Sequence, residues 1–126
     1  MASPDDRRYL SSHEWHKLDG DTVTVGISQT AVDELTDVTF VDVAAEDEVT
    51  RGEAFGEIES VKATSELYAG VDGEVLETNQ EVLDDPSIIN TDPYGKGWIL
   101  KVKPNDVSQL DHLLSAEDYD KEAGTE

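Results

Sequence analysis

Between Gly52 and Gly95 the chain carries eleven Asp or Glu side chains and one basic side chain, Lys62. A lone amine in an acidic stretch is a candidate for covalent acylation by another enzyme. That chemistry needs a primary amine that protrudes from a rigid support and is not committed to an ion pair. Lys62 falls in Glu59-Ser60-Val61-Lys62-Ala63-Thr64-Ser65-Glu66, between two stretches that read as extended, 54–60 and 63–69. Paired as antiparallel strands, they would put the lysine at the tip of their connecting turn. Neither Val61 nor Lys62 suits the positive backbone angles of the commonest two-residue hairpins, so the turn must be type I or longer. Spacing alone favours a plainer reading, a surface lysine loosely partnered by Glu59 or Glu66.

Other chemistries find less support. The chain has no cysteine, which removes disulfides, thiol nucleophiles and thiolate metal sites, so any sulfur redox chemistry must come with a cofactor. His13 and His16 are expected on opposite faces of a strand, and no carboxylate spacing completes a metal motif with them or with His112. Exposed or partly packed histidines and no metal are the expectation. Gly95-Lys96-Gly97 lacks the third glycine of a dinucleotide loop, and no nucleophile elbow is present. Paired acids are frequent only because acids are frequent, so a small acidic hydrolase has little behind it. No catalytic residue is assigned, and Trp15 and Trp98 read as core or rim packing.

The elements that must hold Lys62 can be read from hydrophobic spacing. Residues 14–18 and 22–27 flank Asp19-Gly20-Asp21 and alternate as a half-buried hairpin. Ser28 is a good N-cap for a short helix with Ala31, Val32 and Leu35, and 38–43 reads as a largely buried strand. After an acidic loop at 44–52, the stretches 54–60, 63–69 and 73–78 suggest a β-meander. Pro86 limits 80–90 to one or two helical turns. Trp98, Leu100 and Val102 alternate with Ile99, Lys101 and Lys103 in a last core strand. Asp106 caps a helix with Leu110, Leu113 and Leu114 on one face, and 115–119 can add a second. One domain over 1–126 is expected, with 1–8 and 121–126 as flexible ends.

Thirty acids against nine Lys and Arg give a formal net charge of -21. Such a surface repels phosphate backbones and anionic lipids, so neither nucleic acid nor membrane is expected as a partner. The start lacks a signal-peptide pattern, which points to the cytoplasm, and the carboxylate coat suits a salt-rich one.

The segment Gly56-Glu57-Ile58-Glu59-Ser60-Val61-Lys62-Ala63-Thr64-Ser65-Glu66-Leu67-Tyr68-Ala69, followed by Gly73-Glu74-Val75, resembles the lipoylation segment of glycine cleavage H proteins. Four more stretches resemble that family in the right order: Ser12-His13-Glu14-Trp15, Val25-Gly26-Ile27-Ser28, Val38-Thr39-Phe40-Val41 and Asn90-Thr91-Asp92-Pro93-Tyr94-Gly95-Lys96-Gly97-Trp98. The resemblance covers residues 9–119. It implies a mainly β barrel-sandwich hybrid, shared with lipoyl and biotinyl carrier domains, with a few short peripheral helices.

It further implies lipoic acid carried covalently on Lys62, recognition of the hairpin by the lipoylating enzyme through Glu59, Glu66 and Gly73, and an arm cleft at Ser12, Glu14 and Glu66. The family often has aspartate where Glu66 stands. The implied partners are a pyridoxal-phosphate glycine decarboxylase, an aminomethyltransferase, a flavin-dependent dihydrolipoamide dehydrogenase and a lipoylating enzyme. In that scheme the protein is a shuttled substrate and not an enzyme. Alternatives are a relay that passes lipoate to other proteins and an unmodified interaction protein of the same fold.

Overall fold

The structure, a computed structural model, describes residues 4–44 and 47–123. Among the described residues, nine strands form two antiparallel sheets. β1 (Arg8–Tyr9), β2 (Glu14–Asp19), β3 (Thr22–Ile27), β9 (Leu100–Pro104), β8 (Gly73–Thr78) and β5 (Glu48–Val49) lie in that order in a six-stranded sheet. β4 (Val38–Val43), β6 (Ala54–Ser60) and β7 (Thr64–Tyr68) make a three-stranded sheet. Their inner faces meet in one core that includes Val23, Val25, Ile58, Leu67, Leu100 and Val102. This is the mainly β, barrel-sandwich architecture expected.

The β2–β3 hairpin turns at Gly20, whose φ of +61° is a conformation glycine adopts without penalty. Ser28 caps α1 (Gln29–Leu35) by accepting the Ala31 N–H, and Ala31, Val32 and Leu35 are buried, as the spacing predicts. Pro86 splits 80–91 into α2 (Gln80–Asp84) and α3 (Ser87–Thr91).

Several expectations are corrected. β7 does not continue into a meander: β6 pairs with β4 and β7, whereas β8 crosses to pair with β9 and β5. Hydrophobic alternation fixes which face of a strand is buried but not which strand lies beside it. β4 buries only Val38 and Val41, and Phe40 is 48% exposed, because the opposite face of its sheet is open. The acidic 44–52 stretch contains the two-residue β5, and its residues 45–46 lie outside the described residues. Ile99 is buried beside Leu100, its N–H bonded to Val25 O at 2.7 Å, so the expected alternation does not hold at this point.

His16 is 1% exposed, not partly packed. The segment after Asp106 is a 3-10 helix, Val107–His112, and Leu114 leaves its face to pair with Tyr9. At the ends, Arg8 pairs with His16 in β1, and the Arg7 guanidinium lies 4.6 Å from the Trp15 ring centre. α4 runs Ala116–Ala123, with a Lys121–Glu117 ion pair at 3.3 Å.

Candidate functional site

Lys62 stands in the turn joining β6 to β7. Ser60 shapes that turn: its N–H donates to Ala63 O at 2.8 Å, and its Oγ accepts the N–H groups of Lys62 (3.1 Å) and Ala63 (3.0 Å). None of the residues 60–63 takes a positive φ, so the turn needs no glycine, and the serine hydroxyl takes up its inner N–H groups. The turn is tied down at its side as well, since the Val61 N–H donates to Asp37 O at 3.1 Å. Asn90 grips the same loop, donating to Thr36 O at 2.6 Å and accepting the Val38 N–H at 3.0 Å. Thr36 itself sits at φ +63°, a strained conformation for a β-branched residue that these bonds hold in place.

The result is a rigid base under a free amine. Lys62 is exposed and takes part in none of the ion pairs among the described residues. The partners considered for it, Glu59 and Glu66, form no ion pair with it. Glu59 pairs across the strands with Thr64, and Glu66 pairs with Glu57 and accepts the Tyr68 hydroxyl at 3.2 Å.

Beside the turn lies a cleft of about 160 Å³ between the 10–13 turn, α1 and β7. Ala63, the residue after Lys62, lines it together with Ser12, Glu14 and Glu66. Its walls are apolar at Ile27, Ala31, Leu35, Ile58 and Leu67. Glu14 is 1% exposed. Its Oε1 accepts the Ser12 hydroxyl at 2.5 Å and its Oε2 accepts the Tyr68 N–H at 2.8 Å. Burial pushes the Glu14 carboxyl up to about 7, against the downward pull of those two hydrogen bonds. A carboxyl so placed is poised to take a cationic group, because a cation would restore its charged form and pair with it in a water-poor site.

Gly73 is not part of this constellation. It is buried in β8, on the six-stranded sheet, where an added Cβ would stand 2.4 Å from Val102 Cγ1 and 2.5 Å from Lys103 O. Sequence reasoning missed His13 and Glu34 as lining residues, and Asn90 and Ser60 as supports. Ser60 had a readable signal, a hydroxyl residue opening a turn without glycine. Asn90 had none, since it reaches Thr36 across 54 positions of chain. Among the described residues no group of three His, Cys, Asp or Glu side chains is placed to hold a metal ion.

A family model described as glycine cleavage H-protein matches residues 7–126. The chain belongs to that family. Curated relatives agree: a glycine cleavage system H protein of Staphylococcus carnosus is 50% identical over 125 residues, covering 98% of this chain and 99% of the relative. A second, from a Cyanothece species, is 50% identical over 120 residues, with 94% and 93% covered. The crystal structure of a glycine cleavage system H protein from Mycobacterium marinum superimposes with a TM-score of 0.87 at 40% identity, covering 96% of this chain and 98% of that one.

Glycine cleavage H proteins carry lipoate bound covalently to a lysine. The residues present fit such a group: an exposed, unpaired amine on a braced turn, and beside it a narrow apolar cleft floored by a buried carboxyl.

Proposed function

We propose that Lys62 bears the lipoyl group and that the cleft between α1 and β7 receives the loaded arm. The chain is, by its family, the lipoyl carrier of the glycine cleavage system. The observation that carries the residue assignment is the position of Lys62, exposed and free of ion pairs at the apex of the β6–β7 turn. When bound, lipoate supplies a disulfide that accepts an aminomethyl unit and two electrons.

The chain's own residues do the rest. The β6–β7 turn presents the amine, and a lysine extended by lipoate gives an arm of roughly 14 Å, summed from standard bond lengths. One carrier can therefore reach into several active sites. Ile27, Ala31, Leu35 and Leu67 keep water from a group lying in the cleft, and Glu14 offers its carboxylate to a protonated amine there. Ser12 and the Tyr68 N–H hold that carboxylate in one orientation.

On this reading the chain is a carrier and not a catalyst. Its partners are the pyridoxal-phosphate glycine decarboxylase, the aminomethyltransferase that passes the one-carbon unit to tetrahydrofolate, the dihydrolipoamide dehydrogenase that reoxidises the dithiol, and the lipoylating enzyme. Glu59 and Glu66 lie on adjoining strands beside the turn, which supports reading them as recognition residues for the lipoylating enzyme. We place the system in the cytoplasm; no described helix is long and apolar enough to cross a membrane.

Intact-mass measurement after incubation with a lipoylating enzyme tests the assignment. The wild-type chain should gain one lipoyl group, and Lys62→Arg none, because a guanidinium keeps the charge but cannot form the amide. Lipoyl addition to Lys62→Arg, or none to wild type, would overturn it.

A further inference from the structure

The phenol of Tyr119 lies on α4, outside the cleft, yet it touches two of the elements that wall it. Its hydroxyl is 2.6 Å from His13 Nδ1 and 2.6 Å from Ser28 Oγ. His13 lies just before β2 and lines the cleft, and Ser28 is the N-cap of α1, whose Ala31, Glu34 and Leu35 line it as well. A backbone bond doubles the link, the Ser28 N–H donating to His13 O at 2.9 Å. Both Tyr119 and Ser28 are buried, at 1% and 0% exposure.

Burial raises the Tyr119 phenol above its usual range, so it stays protonated and able to donate. With a neutral imidazole, the phenol donates to His13 Nδ1 and the Ser28 hydroxyl donates to the phenol oxygen. Ser28 Oγ accepts the Ala31 N–H at 3.3 Å, and His13 Nε2–H faces Glu34 Oε2 at 3.2 Å. The Thr30 side chain, in the first turn of α1, is a further hydrogen-bond partner of the same phenol.

The arrangement is also held under strain. His13 sits at φ +85°, where a non-glycine residue stays only if its surroundings hold it. The far side of the clamp is firm, because the Tyr119 ring stacks on Tyr9 at 4.6 Å and Tyr9 exchanges two backbone hydrogen bonds with Leu114.

We propose that Tyr119 and His13 are positioning residues of the arm cleft. The Tyr119 hydroxyl clamps the 10–13 turn to the N-cap of α1 and so sets the cleft's width and the placement of the His13–Glu34 side of its wall. This rests on the reading of Lys62 as the carrier lysine. The C-terminal helix, which contributes nothing to the lining of the cleft, thereby governs how well a loaded arm is shielded.

Two substitutions isolate the clamp. Tyr119→Phe keeps the ring for Tyr9 and removes only the hydroxyl. His13→Asn keeps an acceptor oxygen and a residue type tolerant of positive φ, and removes the group facing Glu34. Intact mass first establishes that each chain is lipoylated. In wild type, long-range proton–nitrogen spectra should show His13 Nδ1 as an unprotonated acceptor, and Tyr119→Phe should shift that resonance.

The Ala31 and Val32 amides at the start of α1 should exchange about fivefold faster in Tyr119→Phe, and ammonia should leave the loaded protein about fivefold faster, the change expected for one lost positioning hydrogen bond. Unchanged α1 exchange together with unchanged release would overturn the proposal. If Tyr119→Phe fails to fold, His13→Asn is judged by the same release rate. A wild-type chain that takes up no lipoyl group counts against the Lys62 assignment instead, and α1 exchange then decides on the clamp alone.

Discussion

The Glu14 carboxylate on β2 accepts the backbone N–H of Tyr68 on β7 at 2.8 Å, and this bond joins the six-stranded sheet to the strand that leads out of the Lys62 turn. One buried side chain therefore serves both the fold and the cleft. Its other oxygen is engaged by Ser12, yet a carboxylate has about four acceptor positions, which leaves room for a cationic guest.

The raised Glu14 carboxyl makes stability depend on pH. Its folded value, about 7, lies above the ordinary 4.5, so between those limits the folded state binds more protons and stability falls as pH rises. Glu14→Gln has no proton to lose and keeps an oxygen for Tyr68 and an amide for Ser12. Relative to wild type it should gain up to about 3 kcal/mol between pH 4.5 and 8. Urea unfolding at both pH values measures this, and equal midpoint shifts at the two would refute it. Glu14→Ala, which offers no group to a cation, should also release ammonia faster once loaded.

His16 works in the opposite direction. Burial lowers its imidazole to about 4, below the usual 6.5, while its Nε2 accepts the Gly70 N–H at 2.9 Å and its Nδ1 has no partner. The unfolded chain binds the proton first, so stability falls as pH drops from 6.5 toward 4. His16→Gln keeps an acceptor for Gly70 and is neutral throughout. Its stability relative to wild type should rise by up to about 3 kcal/mol over that drop. Between pH 4.5 and 6.5 the two residues oppose each other, so the two single variants should differ from wild type with slopes of opposite sign. Parallel slopes would show that one assignment is wrong.

Local features were legible in the sequence where a short-range rule decides them. The β2–β3 hairpin, the Ser28 cap and the split at Pro86 follow from turn, capping and ring constraints spanning a few residues. The turn presenting Lys62 was legible only as a gap between two extended stretches, and its lipoyl chemistry came from resemblance. The crossover after β7, the burial of His16 and the reach of Tyr119 to His13 were not legible. The crossover depends on strand partners 22 to 31 positions away, and the other two on partners 54 and 106 positions away, about which local periodicity carries no information. Phe40 misled for a related reason, since a β-branched run looks the same whether one face is covered or both.

Gly73 was assigned to recognition by resemblance, and its packing predicts a different phenotype. An added methyl would collide with Val102 and with the Lys103 carbonyl across the β8–β9 pair. Overpacking of this kind costs about 1–3 kcal/mol. Gly73→Ala should lower the urea midpoint accordingly, while the fraction that remains folded is lipoylated at the wild-type rate. A variant of unchanged stability that is modified poorly would instead place Gly73 at the enzyme contact.

The outer face of the three-stranded sheet carries the last prediction. Asp42 on β4, Glu57 on β6 and Glu66 on β7 stand directly opposite one another, so three exposed carboxylates form one cross-strand row. Like charges in such positions destabilise a sheet by about 0.2–1 kcal/mol per pair, and the net charge of -21 adds repulsion from everywhere else. Dissolved salt removes most of that penalty, because the screening length falls from about 30 Å at 0.01 M to about 3 Å at 1 M. The wild-type chain should therefore lose circular dichroism signal and urea resistance on transfer from molar to millimolar salt. Glu57→Gln removes the middle charge and two repulsions at once, so it should stabilise the chain by about 1 kcal/mol in millimolar salt and by almost nothing in molar salt. An equal gain at both salt concentrations would show that the row acts through packing and not through charge, and a signal indifferent to salt would remove the case for adaptation to a salt-rich cytoplasm.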